Sequence, residues 1–117
     1  MPVKKARDIP AETVASGKAT TRRVLWSPEE APNFAMRIFR IEPGGSMPNH
    51  TNRVEHEQYV IRGRARIGLG KEILEVQADD TVLIPAGLPH WYETVGAEPF
   101  EFLCMVPNAP DEIKVIE

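Results

Sequence analysis

The stretch 44-GGSMPNHTNRVEHEQYVIRG-63 decides how this chain is interpreted. It opens and closes on glycine, and its second half holds a β-prone run, Glu57–Ile61. His50 and Asn52 are two residues apart, so on an extended strand both side chains emerge from the same face. The three residues between Asn52 and His56 are enough for a short turn that returns the chain beside the first strand. The stretch therefore predicts two neighbouring strands with histidine and asparagine side chains near their junction.

A second segment, 79-DDTVLIPAGLPHWYET-94, holds the third histidine of the chain. His90 follows Ile-Pro-Ala-Gly-Leu-Pro, in which two prolines and a glycine hold the entry to the next strand in a defined place. A lone histidine is most often a surface residue or a hydrogen-bonded core residue. Here all three histidines, His50, His56 and His90, lie in or beside predicted strands, which makes them candidates for one shared site.

Proline and glycine are spread along the chain, and only 49–62 and 71–84 are free of both for more than ten residues. Long helices therefore have little room. The segments between these breakers are short and rich in β-branched and aromatic residues, which is typical of an all-β, antiparallel sandwich or barrel. The predicted strands are Thr20–Leu25, Asn33–Ile41, Glu57–Ile61, Ala65–Leu69, Ile73–Val76, Thr81–Ile84, Trp91–Val95, Phe100–Val106 and a short one around Ile113–Ile116.

Length and composition predict one globular domain. The chain has 117 residues, enough for a single core, so we expect one domain over 1–117 with its barrel at about 20–107. Hydrophobic residues make up 42% and charged residues 26%, which is not the balance of a disordered chain. Residues 1–19 form an N-terminal arm that supplies an edge strand or pairs with a partner subunit, since an open sheet edge favours being covered.

Charge and apolar content argue against several classes of function. Fourteen basic against 17 acidic residues give a formal charge of −3, so we expect neither nucleic acid nor a membrane as a partner. No apolar run approaches the roughly 18 residues of a membrane span, and 1-MPVKKARDIP-10 lacks the apolar part of a secretory signal, which predicts a cytoplasmic protein. The single cysteine, Cys104, excludes an internal disulfide and a multi-cysteine zinc site.

The two quoted segments resemble the two motifs of the cupins, small antiparallel β-barrels that usually carry one divalent metal. The first motif is Gly, five residues, His-x-His, three or four residues, Glu, six residues and Gly, and 44–63 is similar to it in framework. The second is Gly, five residues, Pro-x-Gly, two residues, His, three residues and Asn. Segment 79–94 keeps its centre but has Asp79 and Thr94 at the ends. The resemblance implies a double-stranded β-helix of the jelly-roll type and a homodimer.

The first motif departs from the family pattern where the metal ligands are expected. Asn52 stands in the place of the usual second histidine. Counting back from Gly63 puts His56 in the glutamate position, whereas counting on from Asn52 puts Glu57 there. Neighbouring residues of a strand point to opposite faces, so both cannot enter the barrel without a bulge. We favour His56, because the spacing to the glycine supports it and because it uses all three histidines.

His56 and Glu57 imply different metal sites. With His56, the resemblance implies one divalent transition metal (manganese, iron, zinc, nickel or copper) on His50, His56 and His90, with Asn52 as a candidate fourth ligand. With Glu57, the ligands would be two histidines and a carboxylate. The all-neutral set leaves the charge of the ion uncompensated, which favours a small anionic molecule as the ligand at its open positions.

Strand alternation predicts the other residues of the pocket. Gln58 shares a strand face with His56. Tyr92 shares one with His90 and is the candidate catalytic group, because a phenol can move a proton. Phe102 and Cys104 share a face of their strand, and the resemblance to small cupins turns that face toward the cavity. The pocket candidates are therefore Gln58, Tyr92, Phe102 and Cys104.

Two hypotheses about function follow from these features. The first is a metal-binding cupin that acts on a small anionic or enolisable molecule as a dioxygenase or an isomerase. The second is a non-catalytic barrel that binds a small ligand, although the chain lacks the DNA-binding pattern with which such sensor barrels are usually fused. A metal-free carbohydrate epimerase type is disfavoured, because no histidine is left to serve as its acid or base.

Overall fold

The structure is a computed structural model that describes residues 2–116 of the chain. All strand pairings within this range are antiparallel. The elements are a 3₁₀ turn (Ala6–Asp8) and the strands β1 (Glu12–Thr13), β2 (Lys18–Trp26), β3 (Phe34–Thr51), β4 (His56–Arg62), β5 (Arg64–Leu69), β6 (Glu72–Gln77), β7 (Thr81–Ile84), β8 (His90–Val95), β9 (Phe100–Pro107) and β10 (Lys114–Val115). Between residues 2 and 116, no helix is long and apolar enough to span a membrane.

The strands form one curled sheet in which β3 is the central element. Seven of them follow the order β6-β5-β8-β3-β9-β4-β7, while β2 and β10 also pair with β3, and β1 with β2. Residues 34–41 of β3 pair with β9, and residues 46–50 pair with β8. Pro43 and Gly44 lie between these two parts. Proline has no backbone N–H to donate to a neighbouring strand, and Gly44 has a left-handed backbone (φ 82°), so β3 can bend at this point. The bend lets β3 belong to both halves of the sheet.

The interior lies between these two halves. Tyr92 on β8 stacks on Phe102 of β9 with 5.1 Å between ring centroids, so side chains of the two halves meet directly. Phe100 is 1% exposed and packs against both rings. The strands turn alternate side chains toward this interior. On β4, for example, His56, Gln58 and Val60 are buried, whereas the residues between them are exposed. The inward face carries apolar residues at one end of the barrel and polar ones at the other.

The predicted all-β antiparallel barrel is confirmed, and each predicted strand overlaps an observed one. One boundary is wrong: β3 does not end at Ile41 but continues to Thr51. The predicted pairing of the two strands of 44–63 is also wrong, because β9 lies between β3 and β4 in the sheet. Proline and glycine at 43–45 suggest a break, but here they make the bend that carries β3 from one half of the sheet to the other. The arm contributes β1 to the edge of its own sheet, opposite Thr21 and Arg22. Pairing of the arm with a second subunit, and the homodimer itself, stay predictions.

The structure also accounts for the two unusual end residues of 79–94. Asp79 has φ 76°, the left-handed conformation for which the motif usually has glycine, and aspartate tolerates it better than most residues. Its carboxylate accepts a hydrogen bond from the Tyr59 hydroxyl. Thr94 is buried, and its Oγ1 donates to the Ile41 carbonyl at 3.0 Å, which ties β8 to β3. Both residues therefore have structural roles in this barrel.

Candidate functional site

The three histidines meet at the polar end of the interior. His50 lies near the end of β3, His56 opens β4 and His90 opens β8, and their side chains are 4%, 6% and 1% exposed. The ring centroids of His50 and His90 are 4.1 Å apart, and those of His56 and His90 are 5.8 Å apart. Glu57 is exposed on the opposite face of β4. The geometry thus brings His56 to the pocket and leaves Glu57 outside it.

Backbone carbonyls orient two of the imidazoles. His50 Nδ1 lies 2.7 Å from the Pro48 oxygen, and His90 Nδ1 lies 2.8 Å from the Leu88 oxygen. A carbonyl only accepts, so each Nδ1 carries the proton and donates it. The Nε2 atom of each ring is then the unprotonated one, which is the form that binds a metal ion.

Two buried polar side-chain atoms at the pocket lack hydrogen bonds. His56 Nε2 and Asn52 Oδ1 have no partner within the described part of the chain. The other end of the Asn52 amide is held, since its Nδ2 donates to Asp111 Oδ2 at 3.1 Å. Buried polar atoms without partners are uncommon in folded proteins and call for an explanation such as an ion. A cation between these atoms would satisfy both.

The electrostatics of the pocket favour neutral imidazoles. Burial lowers the pKa of His50 below its usual value. Burial, followed by the positive charge of Arg37, lowers the pKa of His56 to about 4. Burial lowers the pKa of His90 to about 4 as well. At neutral pH all three rings are therefore uncharged, as metal ligation requires.

We expect the metal-free protein to become less stable as the pH falls from 6.5 toward 4. Histidine has a pKa of 6.5 when unfolded, and His56 and His90 have about 4 when folded. The unfolded state binds more protons between these values, so this stabilisation is fully present above pH 6.5 and is lost on acidification. Urea unfolding of chelator-treated protein at about pH 7.5 and about pH 5 measures the difference. The His56→Leu variant should show a smaller difference between the two pH values. The same free energy of unfolding at both pH values in the wild-type protein would contradict the prediction.

The spacing of the rings is close to that of a metal site but not equal to it. Two imidazoles bound through Nε2 to one ion at about 2.0–2.1 Å hold their ring centroids about 4.5–5.5 Å apart. The two observed separations, 4.1 and 5.8 Å, lie on either side of this range. Accordingly, residues 2–116 contain no group of three or more His, Cys, Asp or Glu side chains already placed to hold a metal ion. The donor types fit a divalent ion, and completing the site requires His56 and His90 to come closer together and His50 and His90 to move apart.

The remaining pocket candidates lie around the same cavity, whose volume is about 50 Å³. Gln58 Nε2 donates to the Tyr92 hydroxyl oxygen at 2.7 Å and lies 3.7 Å from Cys104 Sγ. Burial raises the pKa of both Tyr92 and Cys104, so the phenol and the thiol stay protonated at neutral pH. Phe102 closes the apolar side of the cavity. The volume has room for a few water-sized groups.

Sequence reasoning missed three charged residues of this pocket, Arg22, Arg37 and Asp111. Arg37 shares the inward face of β3 with Ala35 and Ile41, so the two-residue alternation in 33–41 could have identified it. Asp111 is on the C-terminal segment, where it accepts hydrogen bonds from Asn52 Nδ2 and, at 2.7 Å, from the backbone N–H of Arg53. No local pattern predicts that contact, because it depends on how the segment crosses the barrel end.

Comparison with known proteins identifies the family. Residues 37–106 match the model of the cupin domain family Cupin_2. The structure of the polyketide cyclase RemF from Streptomyces resistomycificus is 31% identical, with a TM-score of 0.91 over 100% of this chain and 86% of that one. A cupin-2 domain structure from Rhodospirillum rubrum is 25% identical, with a TM-score of 0.83 over 100% of this chain and 80% of that one.

Curated proteins give the same assignment over part of their length. The 1-methylthio-D-xylulose 5-phosphate methylsulfurylase of Rhodospirillum rubrum is 30% identical over 101 residues, which is 86% of this chain and 64% of that protein. An uncharacterised protein of Methanocaldococcus jannaschii is 32% identical over 65 residues, 54% of this chain and 52% of that protein. This chain thus spans less than two thirds of these relatives. The match of the family model to more than half of the chain, on the barrel described above, shows that the chain belongs to the cupin domain family.

Proposed function

We propose that this cupin binds one divalent transition metal through His50, His56 and His90, with Asn52 as a fourth ligand. We further propose that it catalyses proton transfer, as an isomerase or a cyclase, on a small anionic, enolisable carbonyl compound. The observation that carries the proposal is the pair of buried, unpartnered polar atoms, His56 Nε2 and Asn52 Oδ1, beside two imidazoles whose Nδ1–H groups point at backbone carbonyls. A bound divalent ion would act as a Lewis acid that polarises the carbonyl and favours its enolate, and the released α-proton would pass to water or to the Asp111 carboxylate, which lines the same pocket.

The pocket side chains suit that chemistry as hydrogen-bond donors and as a barrier to water. Tyr92 is 5% exposed, and its hydroxyl oxygen already accepts from Gln58, so its own O–H is left to point at a bound molecule. Because burial raises the pKa of Tyr92, the phenol stays protonated at neutral pH and serves as a hydrogen-bond donor rather than as a base. Phe102, stacked on the Tyr92 ring, excludes water from that side.

Two relatives support this choice among metal-dependent reactions. The polyketide cyclase RemF matches the whole of this chain, which favours ring closure or proton transfer at carbonyl groups over oxygenation. The Rhodospirillum rubrum methylsulfurylase bears in its name a phosphorylated, and therefore anionic, compound. Both are arguments by likeness of fold and sequence, and they set the substrate class to be tested.

The metal is tested on untagged protein purified from ordinary medium, by elemental mass spectrometry. We expect about one transition-metal ion per chain, because the donor set can hold a single ion. A His50→Ala/His90→Ala variant should contain none, with circular dichroism as the check that it remains folded. Wild-type protein that is metal-free and takes up no iron, manganese, zinc, nickel or copper would sink the proposal and favour a non-catalytic ligand-binding barrel.

The same preparations test the chemistry through exchange of the pyruvate methyl protons in heavy water, followed by proton nuclear magnetic resonance. Pyruvate is small, anionic and enolisable, and exchange reports enolate formation directly. We expect faster exchange with the metal-loaded protein than with the double-histidine variant. Oxygen uptake without exchange would instead favour a dioxygenase.

A further inference from the structure

Arg37 is a cation on the inward face of the barrel without an anionic partner. It is half-buried on β3 and shares a strand face with Ala35, which is 3% exposed, and with Ile41, which is fully buried. Among residues 2–116, no carboxylate lies within ion-pair distance of its guanidinium. An arginine that is drawn into a pocket and left unpaired is costly to the fold. A function in binding would explain why it is there.

One edge of this guanidinium is directed into the histidine pocket. Nε and Nη2 form the side of the fork that can grip a carboxylate with two parallel hydrogen bonds. Nη2 donates to Cys104 Sγ at 3.4 Å, a weak acceptor, and Nε is buried without any partner in the described chain. The Phe39 ring, with its centroid 5.0 Å from Cζ, holds the plane of the group. This edge of the guanidinium is therefore held in a fixed orientation, but its N–H groups can still donate hydrogen bonds to a ligand.

Arg22 offers a contrast within the same pocket. Its Nε donates to Glu12 Oε1 at 2.6 Å, so the corresponding edge of its fork already holds a carboxylate. Together with Asp111, both arginines also border a larger cleft of about 480 Å³, which runs beside β3 and the segment 106–111. Arg37 thus lies between the small histidine cavity and a space wide enough for the rest of a ligand.

We propose that Arg37 binds the carboxylate of the substrate through its Nε and Nη2 atoms, with the adjacent carbon turned toward the three histidines. The assignment of this anion as the substrate rests on the function proposed above, whereas the binding itself does not. It makes Arg37 a specificity-determining residue that selects small carboxylates over their neutral analogues. The histidine cavity accepts the carboxylate and its adjacent carbon, and the larger cleft bordered by Arg37 accepts the remainder of the molecule.

The test uses acetate and its neutral isostere acetamide as probes, with the full chain both as purified and after chelator treatment. Nuclear magnetic resonance follows the Nε–H signal of Arg37, which a merely structural role would not move on titration. We expect saturable binding of acetate with a shift of this signal, and binding of acetamide at least about ten-fold weaker, because a charge-assisted pair is replaced by a neutral one. Arg37→Gln should weaken acetate binding by about ten-fold or more, and Arg37→Lys should restore only part of it.

Arg40→Gln is the matched control, since it removes an arginine of the same strand that lies on the opposite face, does not line the pocket and is already paired with Glu42. Its affinity for acetate should stay within about two-fold of wild type, as expected for loss of a partly exposed ion pair outside the site. Equal acetate affinity in Arg37→Gln and wild type, equal affinity for acetate and acetamide, or no saturable acetate binding would each overturn the inference. Arg37-dependent binding in a protein that takes up no metal would support it while the metal proposal fails. A metal-loaded protein without Arg37-dependent acetate binding would support the metal proposal and overturn the inference about Arg37.

Discussion

A His56→Ala variant should bind divalent metal at least about 100-fold more weakly than wild type, whereas Glu57→Ala should stay within about three-fold. Changes that only disturb the orientation of a ligand already cost about 10–100-fold in affinity, and removal of the ligand itself costs at least as much. His56 is buried with an unpartnered Nε2, while Glu57 is exposed on the other face of β4. Competition with a chromophoric chelator at neutral pH measures both affinities.

Loss of fold is separated from loss of the ligand by a second variant. His56→Leu keeps most of the side-chain volume and removes a buried polar atom that has no partner, so it should leave the metal-free protein at least as stable as His56→Ala does. It should nevertheless bind metal as weakly as His56→Ala. If Glu57→Ala were the variant that lost affinity, the ligands would be two histidines and a carboxylate, and the end of β4 would have to turn over on metal binding.

The period of two residues made most of the fold and much of the pocket predictable from the sequence. Alternation on β4 distinguishes the face of His56 and Gln58 from that of Glu57, and the structure shows the first two buried. The same rule places Tyr92 with His90, and both are buried on β8. Short segments bounded by proline and glycine were sufficient to predict the strands, because a chain broken so often cannot form long helices.

Other features could not be predicted because they depend on distant contacts. Pro43 and Gly44 have the composition of a chain break, and only the pairing of β3 with both β8 and β9 shows that the strand bends and continues. Asp111 reaches Asn52 across 59 positions of sequence, which no local pattern encodes. The separation of the His56 and His90 rings depends on how far the two halves of the sheet are apart, and alternation indicates only the face on which each ring lies.

Gly63→Ala should destabilise the barrel by about 3 kcal/mol or more, while Gly44→Ala should cost only about 1–2 kcal/mol. Both glycines have a left-handed backbone, with φ values of 80° and 82°. A Cβ at Gly44 would meet nothing within 4 Å, whereas one at Gly63 would lie 2.1 Å from the Pro99 oxygen and 2.9 Å from the Phe100 Cα. Backbone atoms cannot rotate away as a flexible side chain can, so the difference between the variants isolates the cost of this close contact.

Urea unfolding of the two variants beside wild type measures that difference. If Gly63→Ala does not accumulate as folded protein while Gly44→Ala does, the ranking is the same. Equal destabilisation would instead mean that the start of β9 shifts to admit the methyl group. Such a shift would displace Phe100, which is 1% exposed, and through the regular spacing of β9 also Phe102 and Cys104 at the pocket. The last glycine of 44–63 thus acts at a distance, because the turn between β4 and β5 lies directly against the strand that carries one wall of the site.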